Sequence, residues 1–316
     1  MNEFLWRPGH GPDADAIERM TDYFPKPSFP MGEAWFMTDK RKIYSELMTT
    51  APDDLPLENL IKYLDEIGSG TSAFGKLDGE WSDWLHYLLP ILAAKAGGRT
   101  SNGALATDVI SAFVTQYPND VSDSYPDFRM DVLNTLGRWP MGAQFWDGDD
   151  LRPGTVLPGP PLEGQQIHWW ETDSDVSAVM FFLWKYLKPV EIDSWVGSVF
   201  AIKGAHWNAN LLVWLVGARN VLSGKITQPV EFDTRIPKIG WFTTYYLNGR
   251  YDGDYQTPTT IPFLSQANII AFQVALRKHI TEELFFEWLD AFTEFDYLKN
   301  ELYTLPDQFA AAYLER

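Results

Sequence analysis

The sequence predicts a mainly α protein, an array of antiparallel helical hairpins with room for one small β-hairpin. Three observations predict it. Apolar residues recur at helical spacing in stripe after stripe. Period-two alternation is confined to two short segments. The longest interruptions are rich in Gly and Pro. The 316 residues, 45% apolar and 22% charged, suffice for one large or two ordinary domains with their own cores.

Leu57, Leu60, Ile61, Leu64 and Ile67 make the first stripe, with Asp53 or Asp54 as a start signal and Gly68 as a stop. Trp81, Trp84, Leu85, Leu88, Leu89 and Leu92 make the second, ended by Gly97 and Gly98. Leu105, Val109, Ile110, Phe113, Val114 and Tyr117 make the third, between a cap at Ser101 or Asn102 and Pro118. Phe128, Val132, Leu133 and Leu136 lead to Gly137. Val176, Val179, Met180, Leu183 and Leu187 follow a cap at Asp173 or Ser174 and stop at Pro189; a further helix covers 190–202. Trp207, Leu211, Trp214, Leu215, Ala218 and Leu222 give the cleanest period and end at Gly224. Near the C-terminus, Leu284, Phe285, Trp288, Leu289 and Phe292 follow the cap Thr281, with shorter helices over 266–278 and 306–314. Strand alternation is expected at 230–236 and 241–247, which one hairpin would hold.

The rhythm from Leu57 to Gly137 resembles HEAT-like stacked helical hairpins, although no diagnostic repeat is present. Trp81-Ser-Asp-Trp84 and Trp207-Asn-Ala-Asn-Leu211 do not align into one consensus. The punctuation divides the chain into an N-terminal helical lobe, 1–147, a Gly/Pro-rich connection, 148–172, and a C-terminal helical lobe, 173–316, which includes a long loop at 223–262.

Composition excludes several classes of function. There is no Cys, so disulfides, thiolate catalysis, zinc ribbons and iron–sulfur clusters are out. With 25 basic and 43 acidic side chains the net charge is -18, which argues against nucleic acid and anionic membranes as partners. The first residues lack the pattern of a signal peptide, and no apolar run reaches the ~20 residues a membrane span needs, so the expected location is the cytoplasm. Aromatic residues make up 15% of the chain, and most of them must be core.

Catalytic motifs are missing. The five histidines, His10, His86, His168, His206 and His279, contain no i, i+3 or i, i+4 pair. No Gly-x-Ser-x-Gly elbow and no P-loop occur, and the acidic helix of terpene synthases has no counterpart. His168, Glu171, Asp173 and Asp175 are the one His–carboxylate cluster and the alternative metal set. Asp147, Asp149 and Asp150, and likewise Asp252 and Asp254, flank glycines in acidic turns that miss the calcium-loop pattern.

The expectation is therefore a non-catalytic acidic protein that binds a basic protein partner and needs no cofactor. Its concrete form is an inhibitor of the immunity or antitoxin type, an analogy of physical type. Its contacts are expected from Asp147, Asp149, Asp150, Trp169, Trp170, Asp252 and Asp254, because indoles beside carboxylates make good interface anchors. The alternative is a metal-assisted hydrolase with carboxylates and a His in a cleft between the lobes.

Overall fold

The computed structural model describes residues 3–35, 40–74, 79–95, 99–100, 103–121, 124–152, 174–232, 237–247 and 262–315. The fold is mainly α, with two-residue antiparallel strand pairs as its β-structure among the described residues. The chain forms two compact units that are not consecutive stretches of sequence. The first unit is Pro12–Trp139 with Phe242–Phe263; the second is Met1–Gly11, Pro140–Trp241 and Leu264–Arg316. No helix among the described residues is long and apolar enough to cross a membrane.

The first unit holds α1 (Ala14–Tyr23), α2 (Glu46–Thr49), α3 (Leu57–Phe74), α4 (Glu80–Ala94), α5 (Leu105–Gln116) and α6 (Phe128–Thr135). Asp13 caps α1 by accepting from Ala16 N at 2.9 Å, which satisfies one of the free amides at a helix start. Between α4 and α5 the strands β1 (Arg99–Thr100) and β2 (Gly103–Ala104) pair. α1 packs on α4 and α6, and α3 packs on α5. All twelve residues of α5 are buried, so its polar side chains need partners inside the protein. One comes from the helical turn Phe242–Leu247, where Thr243 shares a hydrogen bond of 2.7 Å with Ser111; the same turn is tied to α3 by Ser72 Oγ, which donates to Tyr246 O at 2.9 Å.

Gly68 does not end α3, which continues to Phe74. Gly68 and Gly70 instead make room on the helix surface. A Cβ on Gly70 would lie 2.6 Å from the Trp81 ring, and one on Gly68 would lie 3.2 Å from the Tyr246 ring. A glycine stop signal and a glycine packing groove read alike in sequence.

The expected hairpin at 230–236 and 241–247 is also corrected. Pro229–Glu231 and Phe242–Leu247 are short 3-10 helices. Pro229 stands at the first turn of its helix, where its missing N–H costs nothing. Residues 233–236 lie outside the described residues.

The second unit holds β3 (Trp146–Asp147), β4 (Asp150–Leu151), α7 (Ser174–Tyr186), α8 (Pro189–Ala201), α9 (Ala205–Leu222), α10 (Gln266–His279), α11 (Glu282–Thr293), α12 (Asp296–Leu302) and α13 (Leu305–Tyr313). α8 packs along α10, while α11, α12 and α13 pack on α9. Asn268 ties α10 to the end of α7 by donating through Nδ2 to the carbonyls of Trp184, Lys185 and Leu187. Trp6, from the N-terminal segment, packs edge-on against Trp195 and Trp207 at 5.8 Å each, and its backbone N–H donates to Ser198 Oγ at 2.8 Å. The aromatic excess is thus largely core: Trp6, Trp81, Trp84, Trp139, Trp184, Trp195, Trp207, Trp214 and Trp288 are all buried.

Candidate functional site

The acidic segment Asp147-Gly148-Asp149-Asp150 forms the tip of the β3–β4 hairpin. Trp146 pairs with Leu151 and Asp147 with Asp150, which leaves a two-residue loop of Gly148 and Asp149. Gly148 has φ +63°, the conformation a two-residue loop of the type II′ kind requires at its first position, and one that glycine alone adopts cheaply. Asp147 and Asp149 are exposed.

Asp150 behaves differently. Its carboxylate lies at the N-terminus of α9, where the partial positive charge and unbonded amides of a helix start favour an anion. Oδ1 accepts from His206 N at 3.0 Å and from Trp207 N at 3.2 Å. Oδ2 accepts from His206 Nδ1 at 2.6 Å. The residue before α9 is Gly204, whose lack of a side chain lets Asp150 occupy the capping position. A Cβ there would lie 2.5 Å from the Asp150 Cα.

The link continues through His206, which is buried at 4% exposure. Because Nδ1–H donates to Asp150, Nε2 is the acceptor, and Tyr297 O–H donates to it. Burial, and then the charge of Asp150, push the Tyr297 hydroxyl up to about 12, so it holds its proton at neutral pH. Both ring nitrogens of His206 are thereby engaged. The Asp150–His206–Tyr297 chain joins the hairpin, α9 and α12 rather than presenting a free base. Further contacts seat the hairpin: Trp146 Nε1 donates to Pro140 O at 2.8 Å, Arg152 Nε donates to Trp146 O at 2.8 Å, and the Trp146 and Trp207 rings lie 5.7 Å apart.

A second polar group lies in the first unit. Tyr246 O–H donates to Asp65 on α3. Asp108, buried in the first turn of α5, is pushed up to about 7, mainly by burial and further by the negative charge of Asp65. Asp65 is itself raised, mainly by burial, with the Tyr246 bond acting in the opposite direction. Here a carboxyl group changes charge near neutrality.

The structure therefore separates the sequence-predicted residues. Asp147 and Asp149 stand together at an exposed tip, whereas Asp150 turns to α9 and serves structure. Trp169, Trp170, Asp252 and Asp254 lie outside the described residues, as do His168, Glu171 and Asp173 of the alternative metal set. Asp175, its fourth member, is buried on α7 at 5% exposure. No group of three or more His, Asp or Glu side chains suited to a metal ion occurs among the described residues. Sequence reasoning missed the Asp150–His206–Tyr297 chain, whose members are far apart in sequence and carry no local signal.

No protein-family model matches the chain, and no curated protein or solved structure matches it either.

Proposed function

We propose that the protein works by binding a basic protein partner, with the tip of the β3–β4 hairpin as an acidic contact. The observation that carries this reading is the fixed presentation of Asp147 and Asp149. Two exposed carboxylates stand on a two-residue loop whose base is locked to α9 through Asp150. A charge held in place loses less conformational freedom when a partner docks, which favours binding. The net charge of -18 adds long-range steering, which speeds encounter with a cationic partner by about 10–10³-fold at low salt. In its specific form the partner is a basic toxin and the protein its immunity-type inhibitor. Trp169, Trp170, Asp252 and Asp254 are further contacts of this reading on sequence grounds.

The test compares immobilised native protein with the Asp147→Lys/Asp149→Lys double variant as baits for an extract of the native host. The expected result is capture of a basic protein at low salt. The double variant and high salt should each reduce it at least tenfold, with association slowed more than dissociation is hastened. Capture that ignores both the charge reversal and the salt would refute the proposal.

A further inference from the structure

We propose that the second unit contains a site for a small aliphatic carboxylate, in a cavity of about 220 Å³ walled by α9, α10 and α13. The first reason is charge. The chain has 43 acidic side chains against 25 basic ones, yet among the described residues the cavity wall carries two guanidiniums, Arg219 and Arg277, and no carboxylate. Guanidinium forks match the two oxygens of a carboxylate.

The second reason is that neither arginine is neutralised by an acid among the described residues. Arg219 Nη1 donates to the uncharged Gln308 Oε1 at 3.2 Å. Arg277 ends a different way from its neighbours: Lys278 and His279 both approach Asp193, at 2.6 and 3.4 Å, whereas Arg277 makes no ion pair among the described residues.

A competing explanation is that both arginines serve helix ends, since each lies in the last turn of its helix and cations are favoured there. The carbonyls of α9 weigh against it. Arg219 O accepts from Ser223 N, Asn220 O from Lys225 N, Val221 O from Gly224 N, and Leu222 O from Gln273 Nε2 at 2.6 Å. All four terminal carbonyls are bonded without either guanidinium. The same bonds leave that end of α9 poorly suited to coordinate a cation.

The rest of the wall sets the ligand class. Leu222, Leu276 and Ile280 present apolar surface beside the charged heads. At about 220 Å³ the cavity is smaller than the roughly 300–1,000 Å³ of pockets that hold drug-sized ligands. That suits a short chain with one carboxylate rather than a nucleotide or a drug-sized ligand.

Isothermal titration of the full chain with butyrate, inorganic phosphate and butylammonium tests the proposal. Butyrate is expected to bind one to one. Arg277→Gln, at an exposed position, should weaken it about tenfold or more, and Arg277→Lys by less, because the charge remains and the fork is lost. Arg219→Gln should act in the same direction, and unchanged circular dichroism melts would show that the variants fold. Three results would overturn the proposal: no saturable butyrate binding at tens of millimolar, equal butyrate binding by the native chain and both Gln variants, or phosphate or butylammonium binding as tightly as butyrate. The outcome does not depend on the acidic hairpin, which plays no part in this site.

Discussion

Replacing Asp150 with Ala removes a carboxylate that accepts from two backbone amides at the start of α9 and from the imidazole of His206. Loss of a helix cap costs about 0.5–2 kcal/mol. His206 is buried, so its Nδ1–H loses a partner where water does not readily replace it, at a further cost of about 1–3 kcal/mol. The sum is about 1.5–5 kcal/mol, or a fall in the melting temperature of roughly 3–20 °C for a unit of this size. Because the chain has two units, hydrogen exchange provides the sharper assay. The amides of His206 and Trp207 should lose protection first in Asp150→Ala. Asp149→Ala, at an exposed loop position, should stay within about 0.5 kcal/mol of the native protein. If Asp150→Ala and Asp149→Ala melt alike and the two amides stay protected, the capping role assigned to Asp150 is wrong.

Gly204→Ala should damage the same junction from the other side. Its new Cβ would lie 2.5 Å from the Asp150 Cα, a backbone atom that cannot rotate away, so a loss of about 1–3 kcal/mol is expected in urea unfolding. Asp108→Asn should change the pH dependence of stability. The folded chain raises this carboxyl from the ordinary value of 3.8 to about 7, so between those values the folded state holds a proton that the unfolded state has lost. Stability from this group is therefore highest below about pH 4, falls as the pH rises towards about 7, and stays low above it. The Asn variant removes that slope. It should gain on the native protein at pH 8, by a few kcal/mol at most, and not at pH 4; parallel urea midpoints across this range would contradict the assignment.

The helices were legible where burial follows one face. Thr281 was readable as the cap of α11, and Leu284 N does donate to its Oγ1 at 3.1 Å. The period of α9 was readable for the same reason, although this helix is buried nearly all round and includes Asn208 and Asn210 among its core positions. Legibility failed where one residue type serves two purposes. Gly68 reads as a stop and acts as a groove for Tyr246. The run 241–247 alternates like a strand, but Thr243 turns inward to Ser111 on α5 and the adjacent Thr244 is also buried, while Phe242 is 79% exposed. The strand pairs that do form, β1 with β2 and β3 with β4, were hidden because each strand has only two residues, too few to show a period. The acidic turn itself was visible at Asp147–Asp150. Nothing local distinguishes the acid that builds the fold from the two that face water, because that division is made by His206, 56 residues away in sequence.

This division yields a test that separates fixed geometry from bulk charge. If net charge alone drew the partner, removing any one of Asp147, Asp149 and Asp150 would weaken binding equally, since each deletion lowers the charge by one. If the hairpin must be held in place, the three differ. Asp149→Ala removes one exposed carboxylate and should slow association modestly, an effect that salt erases. Asp150→Ala removes a carboxylate already committed to α9, so its share in the outer field is small; its loss frees the loop that carries Asp147 and Asp149. Ordering that loop on docking then costs about 0.5–1.5 kcal/mol for each side chain immobilised, felt as faster dissociation that persists at high salt. Surface plasmon resonance with the captured basic partner, at two salt concentrations, reads both rates. Equal effects of Asp149→Ala and Asp150→Ala on association, with dissociation unchanged in both, would leave the fixed hairpin without a role in recognition.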